Sequence, residues 1–200
     1  MRRRDLLARS ASVVAASLAL TAGVPLLARA ADAIGGVAAS TAAGLSLQNL
    51  QAHMDEEGVY LDYDIQVNLS DDLKDALQRG ISVVFVAEAA LFERRWYWTD
   101  RQRAQAVRRW RIAYQPLTRQ WRVSIGAFTR QHASLEEALG TLRRSTRWRL
   151  GDRPEGDPGD HYVDFGFRLD TKELPRPLQI GMGGRDTWDL ELERQVRFLQ

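Results

Sequence analysis

The chain has 200 residues, no cysteine and a formal net charge of +2. Residues 1–30 hold five arginines and one acidic residue, so they carry +4 and leave −2 for the other residues. This composition excludes disulfides, thiol chemistry and attachment of a lipid through a cysteine. The remainder is nearly neutral, so it gives no reason to expect nucleic-acid binding.

The N-terminal segment has the three parts of a secretory signal peptide. Residues 2–4 are all arginine, residues 11–24 are small or apolar without a charge, and residues 28–30 form a small-x-small cleavage site. We expect residues 1–30 to be cleaved after Ala30, which predicts a periplasmic or exported protein. The uncharged run is short for a membrane span of about 20 residues, so membrane contact is expected only if the segment stays uncleaved.

Residues 3–7, RRDLL, resemble a twin-arginine signal, so the general secretion route and the twin-arginine route both remain open. Residues 31–44 are rich in alanine and glycine and have no hydrophobic period. We expect a flexible linker there, followed by a single β-rich domain over residues 45–200.

The domain opens with two alternating segments, residues 45–54 and residues 59–69, separated by turn residues. An irregularity is predicted in the first segment at Gln48 and Asn49. In the second segment the apolar residues fall on one face, whereas polar residues and Tyr60 fall on the other. The pair predicts an antiparallel hairpin with one buried face and one solvated face.

Two short helices are predicted from their caps. Ser70 and two following aspartates open the first helix, which is expected to end near Gly80. Ser134 opens the second helix and forms a capping box with Glu137. Neither helix is long enough to be stable alone, so both are expected to pack on the sheets.

Residues 81–92 are apolar on both faces, which is typical of a central strand that is covered on both sides near its start. Further β-rich segments follow at residues 104–114, 121–127, 148–150, 163–169 and 188–198. Residues 151–160 are loop-like, and residues 171–180 are expected to be extended at a sheet edge because of their prolines. The pattern predicts a mainly β protein, an antiparallel β-sandwich of about eight strands with immunoglobulin-like general architecture. A partly closed β-barrel is the alternative.

Residues able to carry catalysis or metal binding are scattered. The acids of residues 151–160 lack the regular spacing of a calcium loop, and Asp62 and Asp64 alternate on a solvated face. No serine lies in a nucleophile pattern. The three histidines are far apart and each is expected at the surface: His53, His132 and His161. We therefore expect no catalytic site, no metal and no cofactor.

The densest local chemistry lies at residues 91–100, LFERRWYWTD. The candidate binding residues there are Arg94, Arg95, Trp96, Tyr97, Trp98 and Asp100. Packing in the core or at a sheet edge is the favoured interpretation, because a strand places Trp96 and Trp98 on one face and Tyr97 on the other. In that interpretation Glu93 pairs with an arginine. A sugar- or peptide-binding platform built on stacking and cation–π contact is the second interpretation.

Several motifs follow one another in an order that is familiar from one bacterial family. They are the helix at residues 70–77, RRWYWTD at 94–100, YQPLT at 114–118 and LDTKELPRPLQ at 169–179. Through them the chain resembles the domain-of-unknown-function family 4390, small exported proteins of proteobacteria, over residues 45–198. The resemblance implies a signal peptide and one β-rich domain, and it supplies no activity. Genes of this family can lie near a gene for a membrane sensor histidine kinase of nitrogen-regulation type, which would fit an accessory periplasmic role.

Together these observations predict a non-enzymatic periplasmic accessory or protein-binding module whose partner is an envelope protein, such as a membrane sensor kinase. The alternatives are an envelope glycan-binding protein, a hydrolase with an unrecognised cleft, and a purely structural envelope protein. The oligomeric state stays open.

Overall fold

The computed structural model describes residues 44–97, 99–174 and 188–198. The strands and helices within these residues are β1 Gly44–Met54, β2 Val59–Asn68, α1 Asp71–Gln78, β3 Val83–Glu93, β4 Arg101–Gln115, β5 Gln120–Ile125, β6 Phe128–His132, α2 Leu135–Arg143, β7 Arg144–Gly151, β8 His161–Leu169 and β9 Glu191–Arg197. They form a three-stranded sheet in the order β1-β2-β7 and a six-stranded sheet in the order β6-β5-β4-β3-β8-β9. The predicted antiparallel β-sandwich is confirmed, and these strands do not close into a barrel.

The first hairpin forms as predicted from its alternating residues. The register of β1 against β2 shifts between Leu47 and Asn49, at the predicted irregularity. Asp55 closes the turn, because its Oδ1 accepts hydrogen bonds from the backbone N–H of Glu57 at 2.9 Å and of Gly58 at 3.0 Å. The buried face of β2 then points toward the six-stranded sheet.

The core lies between the two sheets and is rich in aromatic rings. Tyr63 of β2 packs on Phe165 of β8 with 5.0 Å between ring centroids, and Phe85 of β3 stacks on Phe167 of β8 at 5.9 Å. The buried Tyr63 hydroxyl donates to the Leu142 carbonyl of α2 at 3.3 Å. This bond satisfies a polar atom that burial would otherwise penalise.

β3 is the central strand of the six-stranded sheet, between β4 and β8. Its outward side chains Val84 and Val86 are buried, as predicted for a strand that is covered on both faces near its start. Two β4 arginines lie opposite these valines and extend to acids beyond β8. The ion pairs are Arg109 with Asp170 at 3.5 Å and Arg111 with Glu173 at 3.2 Å. The side chains of these arginines therefore extend along the face of the sheet that carries the valines.

Both helices begin at their predicted caps. The Ser70 hydroxyl accepts from Leu73 N at 3.3 Å, and the Ser134 hydroxyl accepts from Glu137 N at 3.1 Å. Gly80 follows α1 with φ of +87°, the left-handed conformation that favours glycine at a helix end. The apolar stripe of each helix is buried, which confirms that the helices pack on the sheets.

Three details differ from the sequence predictions. Residues 121–127 are not one strand, because the chain reverses at residues 126–127 and β6 returns beside β5. Tyr60 is buried on the predicted solvated face, because the Arg147 guanidinium carbon lies 4.3 Å from its ring centroid. Thr171–Glu173 forms a 3₁₀ turn instead of an extended segment, and residues 175–187 lie outside the described residues.

Residues 1–43 also lie outside the described residues, so the signal peptide and most of the linker stay predictions. Gly44, which the sequence places in the linker, is the first residue of β1. In the described part of the chain, no helix has the length and apolar character needed to cross a bilayer.

Candidate functional site

Residues 94–100, here named the aromatic–arginine loop, connect β3 to β4. The loop is tied to the start of β8 at two points. Arg94 N donates to the Asp160 carbonyl at 2.7 Å, and the Tyr162 hydroxyl donates to Asp100 Oδ2 at 2.8 Å. Asp100 Oδ1 also accepts from Arg95 N, at 3.1 Å, so one carboxylate joins both ends of the loop to β8.

The tip of the loop exposes two aromatic rings. Trp96 is 93% exposed and Tyr97 is 66% exposed, and their rings meet edge to face with 4.7 Å between centroids. The favoured interpretation of core or edge packing is therefore wrong for these two residues. The reason is that β3 ends at Glu93, so strand alternation does not extend to the tip. Trp98 lies outside the described residues.

An open cleft of about 710 Å³ lies beside the tip. Its lining consists of Glu93, Arg94, Arg95, Trp96, Tyr97 and Asp160. Four of the six candidate residues thus lie together at the cleft, namely Arg94, Arg95, Trp96 and Tyr97. Asp100 does not line the cleft but ties the loop to β8. Glu93 Oε2 lies 2.7 Å from Arg103 Nε, which confirms the predicted pairing of Glu93 with an arginine.

Hydrogen bonding favours the charged form of Asp100, the residue that ties the loop to β8. The hydrogen bond from Arg95 N has the largest effect and lowers the pKa of Asp100. The hydrogen bond from the Tyr162 hydroxyl lowers this pKa further, although partial desolvation opposes the shift. Burial, then the hydrogen bond to Asp100, raises the pKa of Tyr162 to about 12. At neutral pH a neutral phenol therefore donates to a carboxylate, which is a charge-assisted hydrogen bond.

This arrangement supports recognition by contact. The exposed rings offer stacking surfaces, and the two guanidinium groups offer planar donor pairs for carboxylate or carbonyl oxygens. Asp100 is held as an ionised acceptor, so it has no proton to donate near neutral pH. The cleft thus has the chemistry of a binding surface.

His161 is buried, with 1% of its surface exposed, so the prediction of a surface position is wrong for this residue. It begins β8 opposite Glu93 of β3 and points into the sandwich. Its Nδ1 lies 2.9 Å from the Asp157 carbonyl. The sequence predicted that His161 lies at the start of a strand, but it did not indicate that the side chain lies on the buried face of the sheet. His132 ends β6 and is half-buried.

The alternating acids of β2 are paired with basic groups. Asp62 Oδ2 lies 3.4 Å from His53 Nε2 of β1, and Asp64 Oδ2 accepts from Arg144 Nε of β7 at 2.8 Å. These contacts lie on the outer face of the three-stranded sheet. Among the described residues, no three histidine or acidic side chains come together as a metal-ligand set.

Sequence reasoning missed the partners that hold the loop, Tyr162 and Asp160. Tyr162 precedes the alternating residues of β8, and it bonds to an aspartate 62 positions away. No local spacing signals such a pair. Only the strand pairing of β3 with β8, which sets Phe92 opposite Tyr162, brings it to the loop.

A family model described as Domain of unknown function (DUF4390) matches residues 42–197. The chain belongs to this family. The match spans almost the same residues as the predicted resemblance, residues 45–198, so the resemblance is confirmed. No curated protein and no solved structure matches the chain. In this DUF4390 protein, the motif at residues 94–100 forms the aromatic–arginine loop.

Proposed function

We propose that this DUF4390 protein is a non-enzymatic periplasmic accessory module that binds an envelope protein through the aromatic–arginine loop. The observation that carries the proposal is the exposure of Trp96 and Tyr97 at the tip of a tethered loop. Large aromatic side chains gain little stability for their own fold when they stand in water. Burial of these rings against a partner supplies the hydrophobic stabilisation that they do not give to their own fold.

The composition of the loop matches the residues that dominate protein interfaces. Tryptophan, tyrosine and arginine are the types most enriched among residues whose truncation strongly weakens binding. The tether adds a second advantage. Because Asp100 and Asp160 already hold the loop backbone, less conformational entropy is lost when a partner docks.

The periplasmic setting rests on the predicted signal peptide, and the kind of partner rests on the family resemblance. A membrane sensor kinase has a face on the outer side of the membrane that an exported protein reaches. An exported module that binds there would add an input to the sensor without any catalysis of its own.

Site-specific photo-crosslinking in living cells tests the proposal. A photoreactive residue is placed at Trp96 or at Tyr97, and the control is Leu117, which is fully exposed in the turn at the far end of β4. β4 spans roughly 45–50 Å between them. We expect the same membrane protein to be captured from positions 96 and 97 and to be missing from position 117. Capture of no protein from the loop, or of the same products from all three positions, contradicts the proposal.

A further inference from the structure

A second concave surface lies on the outer face of the six-stranded sheet. This groove has a volume of about 500 Å³ and is formed by side chains of β3, β4, β8 and β9. The floor of the groove includes Gly166 of β8, which has no side chain to fill it. Gly166 pairs with Glu88 of β3 and Glu193 of β9. A Cβ atom added to Gly166 would meet no atom within 4 Å, so the missing side chain leaves open space.

The walls of the groove carry a connected set of hydrogen bonds. Glu88 accepts from Gln105 Nε2 and, at 3.3 Å, from Arg168 Nη1. Gln102 Nε2 donates to Gln105 Oε1 at 3.0 Å, so four side chains are linked. A separate bond joins β8 and β9, where Gln195 Nε2 donates to Asp164 Oδ1 at 3.0 Å.

Hydrogen bonds hold these side chains in place but do not use all of their donors and acceptors. A glutamine amide has two N–H donors and two acceptor positions, and a carboxylate has about four acceptor positions. Each residue of the network uses only part of that capacity on its neighbours. The groove therefore offers oriented donors and acceptors to a ligand, and ordering them on binding costs little entropy.

The rest of the lining decides the class of ligand. The acids are Glu88, Asp164 and Glu193 and the bases are Arg168 and Arg194, which sum to −1, so the groove does not select an anion. Ala90 and Phe92 add an apolar strip, and the Phe92 ring is stacked on Tyr162 with 5.4 Å between centroids. Amides, carboxylates and two guanidinium groups around the Phe92 ring are too polar for an apolar ligand.

We propose that this groove is a binding site for a neutral oligosaccharide segment. Vicinal hydroxyl groups both donate and accept, so they pair with glutamine, glutamate and arginine at once, and the C–H face of a sugar ring packs on Phe92. The site is separate from the cleft at the aromatic–arginine loop. It would let the protein hold a glycan while the loop holds a protein.

The test titrates the purified full chain with two neutral probes, cellotetraose and tetra-N-acetylchitotetraose, and with tetragalacturonate as an anionic probe. Side-chain amide signals of Gln102, Gln105 and Gln195 are followed by NMR, and affinity is measured by calorimetry. We expect at least one neutral probe to bind in the micromolar to millimolar range and to shift these amides. Absence of neutral binding at millimolar concentration, or tighter binding of the anionic probe, overturns the proposal.

Two variants locate the site. Gly166→Val fills the groove where the backbone leaves open space, and Gln105→Ala removes one wall donor on the exposed face. Each is expected to weaken binding by about tenfold or more. Gly140→Ala is the matched control, because it adds a Cβ into open space on α2. Unfolding curves show that the variants fold, and equal affinity in all three would overturn the assignment to this groove.

Discussion

Three small residues pack closely at one corner of the sandwich: Gly151 meets Ala104 of the other sheet, and Gly58 meets Gly151 within the three-stranded sheet. A Cβ atom added to Gly151, at the end of β7, would lie 2.7 Å from the Ala104 Cβ of β4. A Cβ atom added to Gly58, before β2, would lie 2.4 Å from the Gly151 carbonyl oxygen. Both distances are far inside van der Waals contact, so either substitution must move the strands apart.

We predict that Gly151→Ala destabilises the protein by about 1–3 kcal/mol, the usual range for overpacking a well-packed site. For a domain of this size that lowers Tm by roughly 2–12 °C. Gly58→Ala should lie at the upper end, because its neighbour is a backbone carbonyl that cannot rotate away. Urea unfolding followed by circular dichroism gives the free energy of unfolding for each variant.

Ala104→Gly supplies the decisive control, because it removes the atom that Gly151→Ala would strike. Alone it should cost about 0.5–1 kcal/mol as a glycine in a strand. Combined with Gly151→Ala it should restore part of the lost stability, whereas combined with Gly58→Ala it should not. A fully stable Gly151→Ala variant, or equal rescue of both glycine variants, would refute this packing argument.

Three further predictions concern α2, the core and the loop. Gly140→Ala should raise the free energy of unfolding by about 0.5–1 kcal/mol, because glycine is a poor helix former and its Cβ has open space. Tyr63→Phe should lower it by about 0.5–1.5 kcal/mol in urea unfolding, because the hydrogen bond to the Leu142 carbonyl is lost. The pKa of Asp100 is lowered in the folded state, so its stabilising effect is complete above the ordinary value of 3.8 and is lost as pH falls through the lowered value. The NMR shift of the Arg95 amide should therefore titrate with a midpoint below 3.8, and a midpoint at or above 3.8 contradicts the tether.

Much of the fold follows from local patterns in the sequence. The alternation of residues 59–69, the doubly apolar residues 81–92 and the serine caps of both helices are all found as predicted. These features depend on short-range geometry that sequence spacing reports directly. The β5–β6 hairpin was missed although Gly126, with φ of +54°, marks its two-residue turn. Alternation that continued through Ile125 and Ala127 concealed the reversal.

The candidate site was located but misjudged. The density of arginine and aromatic residues at 94–98 marked the right loop, whereas the exposure of Trp96 depends on where β3 ends. The Tyr162–Asp100 bond and the burial of His161 both depend on the pairing of β3 with β8. Such long-range pairing has no local signature, so a single sequence could not reveal which residues hold the loop.

The most direct test of the central claim compares the affinity of three proteins for the partner that loop crosslinking captures. These proteins are the unmodified chain and the variants Trp96→Ala and Leu117→Ala. The two variants each truncate one exposed side chain, at opposite ends of β4. If the aromatic–arginine loop is the binding surface, Trp96→Ala weakens binding by about 30-fold or more, the effect of about 2 kcal/mol at an interface hot spot. Leu117→Ala leaves the dissociation constant unchanged. Equal dissociation constants for all three proteins would contradict the account.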